Sequence, residues 1–207
     1  MERFTYEAAE RSERLETYEW DRVWWEQTDA KAGERILYIG DSISCAVRTV
    51  ATEVSESTLL FDGVGTSKAL DNPYFYDTIN LFATQQKQRR AILLNNGLHG
   101  WHLSDDGEYI EYYEKMLDFL SSKFAGVPII LVLTTHVLDS ERDERVKARN
   151  AAVISIAKSR AIPYIDFYSV TLEHENLISA DGVHLTQEGY KLLAQTLVSD
   201  IKGILSL

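Results

Sequence analysis

The chain has 207 residues, of which 45% are hydrophobic and 11% aromatic, enough for one large domain with a sizeable core. Its 21 basic and 32 acidic residues leave a net charge of −11, which argues against nucleic acid or an anionic membrane surface as a main partner, since both call for a basic face. A single cysteine, Cys45, excludes an intramolecular disulfide, and the longest apolar run, 127–133, is broken by Pro128 and falls far short of the ~20 residues of a membrane span.

The first 21 residues are rich in Glu and Arg and show no apolar leader core, so a cytoplasmic location is expected. Leu15, Tyr18, Trp24 and Trp25 predict a charged helix over 7–27, making residues 1–33 a helical extension packed on the outside of a domain that spans 34–207. A strand over 35–39 follows and ends at Gly40. Ile43, Ala46, Val47, Val50, Ala51 and Val54 then recur at helical spacing. A short strand at 58–61 leads into a loop at 62–67, and a helix is expected over 77–88. Residues 91–94 form a wholly apolar strand, followed by a polar stretch from Asn95 to Trp101.

Tyr109, Tyr113, Met116, Leu117, Leu120 and Phe124 mark the next helix, stopped by Gly126 and Pro128. The strand at 129–133 contains no polar residue, as befits a strand buried on both faces. Ser140 and Asp143 resemble a capping box for a helix carrying Val146, Val153, Ile156 and Ala157. Residues 163–167 give the fifth strand. Tyr190, Leu193, Ala194, Leu197, Val198, Ile201 and Leu205 give a terminal amphipathic helix. Short apolar strands alternating with helices imply an α/β fold, with a five-stranded parallel sheet between helical layers. In such sheets ligands bind at the carboxyl ends of the strands. That edge collects Gly40–Ser42, the loop at 62–67, the stretch 95–101 and residues 134–137.

Two segments on that edge carry chemistry. Gly40-Asp41-Ser42-Ile43 places a serine at a helix start, where free backbone N–H groups and the positive end of the helix dipole can hold an oxyanion. Alone, the segment reads first as an ordinary Ser or Asp helix cap. Asp181-Gly182-Val183-His184 precedes the last helix. A serine hydroxyl is a weak nucleophile until a base takes its proton, and a histidine oriented by a carboxylate does so near neutral pH. Alone, an Asp-x-x-His turn reads equally as metal ligands or a solvated loop. No phosphate-binding glycine motif is present, so a nucleotide enzyme is not expected.

Taken together, the two segments resemble the SGNH hydrolase, or GDSL esterase/lipase, family. Gly40-Asp41-Ser42-Ile43 stands for its first block and Asp181–His184 for its last, about twenty residues from the end, and the likeness spans roughly 34–207. The resemblance implies a flavodoxin-like three-layer fold and a serine esterase with the triad Ser42, His184 and Asp181, needing no metal or organic cofactor. It further implies an oxyanion hole with a backbone glycine from the second block, assigned to Gly65 with Gly63 as the alternative. A side chain from the third block completes the hole. That block normally reads Gly-x-Asn-Asp. Here it reads Asn95-Asn96-Gly97-Leu98-His99-Gly100, so His99 stands where the asparagine belongs, and Asn95 or Asn96 is the alternative. The partner implied is a small-molecule ester, with a small acyl or acetyl-carbohydrate ester favoured. An acyltransferase on the same triad and a non-catalytic carbohydrate-binding module are the competing readings.

Among the remaining residues, Trp101 and His102 follow the third block, either lining a pocket or packing and facing solvent. His136 sits on the same edge as a candidate substrate contact. Asp166 and Asn150 read as structural, His174 as exposed, and the acidic run 141–144 as a solvated helix start.

Overall fold

The computed structural model describes residues 19–85, 89–103 and 106–207. Apolar runs too short for helices become the central strands: Ala91–Leu94 (β4) and Ile129–Val132 (β5) are buried at every position. They join Asp21–Trp24 (β1), Glu34–Gly40 (β2), Leu59–Thr66 (β3) and Tyr164–Ile165 (β6) in one sheet of six strands, ordered β1-β3-β2-β4-β5-β6. All neighbours run parallel except β1, which is antiparallel to β3.

The period of two along β2 divides the core. Ile36 and Tyr38 face one layer, with Ile43, Val47 and Ala51 of Ser42–Val54 (α1) and Leu193, Leu197 and Ile201 of Gln187–Leu205 (α6). Leu37 and Ile39 face the other, with Phe75 and Ile79 of Pro73–Ala83 (α2), Met116 and Leu117 of Asp106–Lys123 (α3), and Val153 and Ile156 of Ser140–Arg160 (α4). The chain leaves β2 toward β3 and returns on the opposite side of β2 to make β4. A crevice therefore opens between the carboxyl ends of β2 and β4, where the strand order reverses.

The sheet has six strands rather than five, and the extra one corrects the N-terminal reading. The first part of the expected helix over 7–27, residues 7–18, lies outside the described residues. Its last part holds β1, a strand. Trp24 is buried on this strand, donates its indole N–H to the Phe61 carbonyl at 2.8 Å and carries the Arg48 guanidinium 3.4 Å above its ring. It lies across Gly63, its register partner, where a Cβ would come within 2.4 Å of the indole.

The expected loop at 62–67 is largely strand. Asp62, wholly buried, keeps its place in β3 because Arg35 and the Glu26 N–H satisfy its carboxylate at 2.7–2.9 Å. Three further boundaries move. α2 starts earlier, with Asn72 capping Tyr74 N–H and Pro73 in the first turn; α4 is capped by Asp139, not Ser140; and β6 gives way at once to Phe167–Leu172 (α5), capped by Asp166.

Candidate active site

Ser42 is the first residue of α1, at the carboxyl end of β2. The buried Asp41 caps the helix by accepting the Ile43 N–H at 2.9 Å. Cys45 follows one turn later. Burial pushes its thiol up to about 11, so it stands as an unionised, half-buried group.

The other half comes from the turn between Glu175–Leu177, a 3-10 segment, and α6. Ile178 and Leu185 pair across it, and the Ser179 N–H donates to the His184 carbonyl at 2.7 Å. Leu138, from the loop after β5, ties in by donating its N–H to the Gly182 carbonyl at 2.9 Å. Within the turn, Asp181 Oδ1 accepts the N–H groups of Val183 and His184, both at 2.9 Å, and the Ser179 hydroxyl at 2.8 Å. Asp181 Oδ2 lies 2.7 Å from His184 Nδ1, and His184 Nε2 lies 2.9 Å from Ser42 Oγ. The Val183 N–H, the imidazole and the His184 N–H together hold the Asp181 carboxyl well below the usual carboxylate range. An ionised carboxylate only accepts, so Nδ1 carries the proton and Nε2 is left to receive one from Ser42. Residues 142 positions apart thus form one hydrogen-bonded chain. It is open to solvent on the histidine side, where the side chains of His184 and Asp181 are 43% and 52% exposed.

The expected oxyanion donors fare differently. Gly65 lies inside β3, not in a loop. The Ser67 N–H donates to the Trp20 carbonyl, and the alternation of an antiparallel ladder turns the Gly65 N–H to the same β1 side, away from Ser42. Gly65 is instead a packing glycine: a Cβ there would stand 2.2 Å from Cys45 Sγ and 3.5 Å from Trp20 Cζ3. Gly63 is covered by Trp24. Asn96 gives its amide nitrogen to the Lys68 carbonyl at 2.9 Å, and Asn95 gives its own to the Val132 carbonyl at 2.8 Å, so both brace loops. His99 is half-buried, packs edge-to-face on Trp20 with ring centres 6.2 Å apart, and lies close enough for its positive form to favour the ionised form of Asp41.

The remaining candidates turn inward. His136 Nδ1 meets Asp143 Oδ1 at 2.6 Å and its Nε2 meets Glu175 at 3.2 Å, while Asp143 also accepts the Tyr168 hydroxyl at 2.8 Å. Asp143 is therefore buried and structural, not part of a solvated helix start. His102 pairs with Asp71, His174 bonds the Val170 carbonyl, and Trp101 is flanked by the guanidinium groups of Arg145 and Arg149. Asn150 holds both backbone groups of Thr134, and Asp166 caps α5.

Two residues went unnoticed in the sequence. Arg149 reaches the carbonyls of Gly97, His99 and Gly100 at 2.6–3.0 Å and shapes the third-block loop. The signal was Arg149-Asn150 standing on the face of α4 that Val146 and Val153 bury. Trp20 had no signal, because its place depends on a strand pairing 46 residues away.

Residues 38–192 match the GDSL-like lipase/acylhydrolase family. Solved structures resemble the fold at low identity. A lipase/acylhydrolase from Enterococcus faecalis superposes with a TM-score of 0.65 at 19% identity, covering 83% of this chain and 96% of its own. An acetyl xylan esterase, AlAXEase, gives 0.63 at 16%, covering 81% and 99%. A member of the lipolytic G-D-S-L family from Veillonella parvula gives 0.64 at 21%, covering 81% and 97%. No curated protein matches the chain in sequence. Among the described residues, no helix is long and apolar enough to cross a membrane.

Proposed function

The chain belongs to the GDSL-like lipase/acylhydrolase family, and from that premise we propose that it hydrolyses carboxylic esters through a covalent acyl-enzyme on Ser42. The observation that carries this reading is the chain Asp181–His184–Ser42, with 2.7 and 2.9 Å between its members. His184 Nε2 takes the Ser42 proton as Oγ attacks the ester carbonyl, and Asp181 steadies the imidazolium that forms. The oxyanion is met by the Ser42 N–H at the start of α1 and by the ring N–H of His99. His184 then protonates the leaving alkoxide, the C–O bond breaks, and the acyl group stays on Oγ. Water, losing its proton to the same nitrogen, attacks the acyl carbon. Oγ regains the proton and the acid departs.

Incubation with a fluorophosphonate probe tests the reading. The protein is expected to label at Ser42, and Ser42→Ala to abolish both labelling and turnover of p-nitrophenyl acetate with an unchanged thermal midpoint. A Ser42→Ala variant that kept its turnover would require another nucleophile.

A further inference from the structure

The two sides of Ser42 are flanked by different elements. The leaving alcohol must lie by His184, which protonates it, and that side is open. The acyl substituent must lie away from His184. The His184 turn is tied to the loop after β5, whereas Trp20, Cys45 and Gly65 gather at the end of β3, on the other side of β2, with His99 against Trp20. Gly65 admits no side chain because Cys45 Sγ already fills the place, with the Asp41 carbonyl 3.4 Å and Trp20 Cζ3 3.5 Å from the same point. The His99 ring stands edge-on to the Trp20 indole.

Trp20 is held there firmly. Its N–H donates to Ser67 Oγ at 2.9 Å, and its carbonyl accepts from Ser67 N–H at 3.1 Å and Thr66 Oγ1 at 3.2 Å. The cause is topological. β1 runs antiparallel to its neighbour, so its entry, not its exit, lies at the carboxyl edge where the parallel strands present the site.

We propose that Trp20, backed by Cys45, walls the acyl side of the Ser42 site and restricts the enzyme to short acyl groups, of acetyl size, while leaving the alcohol side free for bulky polar alcohols. The proposal rests on the ester-hydrolase reading. A rigid indole seated on a packed glycine yields little to a longer chain, so each methylene beyond acetyl meets the wall. Trp20 touches no reacting atom. It determines specificity and, through its edge contact, positions the His99 ring.

The test is kcat/KM for p-nitrophenyl acetate, butyrate, hexanoate and octanoate, measured on the wild type, Trp20→Ala, Trp20→Leu and Cys45→Ala with the full chain. The wild type is expected to prefer acetate. Trp20→Ala should raise the hexanoate-to-acetate ratio by at least ~10-fold, the scale of one methylene's fit in an apolar pocket. Cys45→Ala, opening the same side from α1, should move the ratio in the same direction. If Trp20→Ala fails to fold, Trp20→Leu decides, since it shortens the wall but keeps an apolar cover on Gly65. A wild type that turns over octanoate as readily as acetate, or variants that keep acetate activity with an unchanged ratio, would overturn the proposal and leave the esterase reading standing. Absence of both fluorophosphonate labelling and hydrolysis at every chain length would instead remove the esterase reading and the proposal with it.

Discussion

At the scale of single residues, the site joins a carboxylate held ionised to one pushed the other way. Asp181 has four donors around its two oxygens, so its charge persists far into acid, and its value to His184 lies in fixing the tautomer. Asp181→Asn keeps Oδ1 as acceptor for the turn but faces Nδ1 with a donor. The fold should survive while kcat falls on the order of 10⁴-fold, the loss such a change brings when the imidazole is left in the wrong tautomer. Steady-state kinetics beside a thermal melt would check this, and a mild loss would mean that Asp181 is not the orienting group. Asp41 is the opposite case: burial raises its carboxyl, against the pull of His99 and the Ile43 N–H. The folded protein therefore binds this proton more tightly than the unfolded chain, and the charged form lowers stability at neutral pH. That cost is relieved as pH falls through the raised folded value. Asp41→Asn, which keeps the cap acceptor without the charge, should melt at or above the wild type at pH 7, with its advantage shrinking as the pH is lowered. An advantage that grew on acidification would contradict the burial argument.

At the scale of elements, what was legible in the sequence was whatever announces itself locally. α1 and α6 show their 3.6-residue stripes, β4 and β5 their unbroken apolar runs, and the two short motifs flanking them place Ser42 and His184 on one edge. What was hidden depends on partners far along the chain. β3 continues through Asp62-Gly63-Val64-Gly65, a stretch with loop composition, because Arg35 neutralises the acid and because Trp24 and Cys45 occupy the space over the two glycines. Composition cannot reveal an absent side chain's tenant. Nor can composition show that the Gly65 N–H, expected in the oxyanion hole, faces β1. The packing argument is testable by coupling. Gly65→Ala should destabilise the fold by about 1–3 kcal/mol through overpacking. Cys45→Ala, which removes Sγ, should recover part of that loss in the double variant, with an interaction energy of about 0.5–3 kcal/mol. Denaturant unfolding of the four proteins gives the cycle. Strict additivity would show that Gly65 is constrained by something other than the thiol.

At the scale of the whole molecule, the N-terminal segment is part of the sheet rather than an ornament on it. β1 pairs with β3 from Asp21↔Thr66 to Trp24↔Gly63 and so covers what would otherwise be a long open edge. Beyond that edge it extends the protein in two directions. Trp24 seals the sheet by its bond to the Phe61 carbonyl and its stack with Arg48, and Trp20 reaches the reaction edge. The sheet therefore begins at Asp21, ahead of residue 34 where the likeness to the family starts. A fragment of residues 34–207 keeps Ser42, Asp181 and His184 yet loses a buried tryptophan, worth about 3–5 kcal/mol when truncated in a core. It also bares the unpaired groups of β3, a template for association with another chain. The backbone of Gly63, covered by Trp24 in the full chain, meets water as well. The fragment is expected to melt well below the full chain and to form higher oligomers in size-exclusion chromatography, while the full chain shows neither behaviour at the same concentration. A fragment that stayed monodisperse, with the full chain's elution state and melting point, would show that β1 is dispensable to the sheet. The stability of the reaction edge would then rest on the five parallel strands alone.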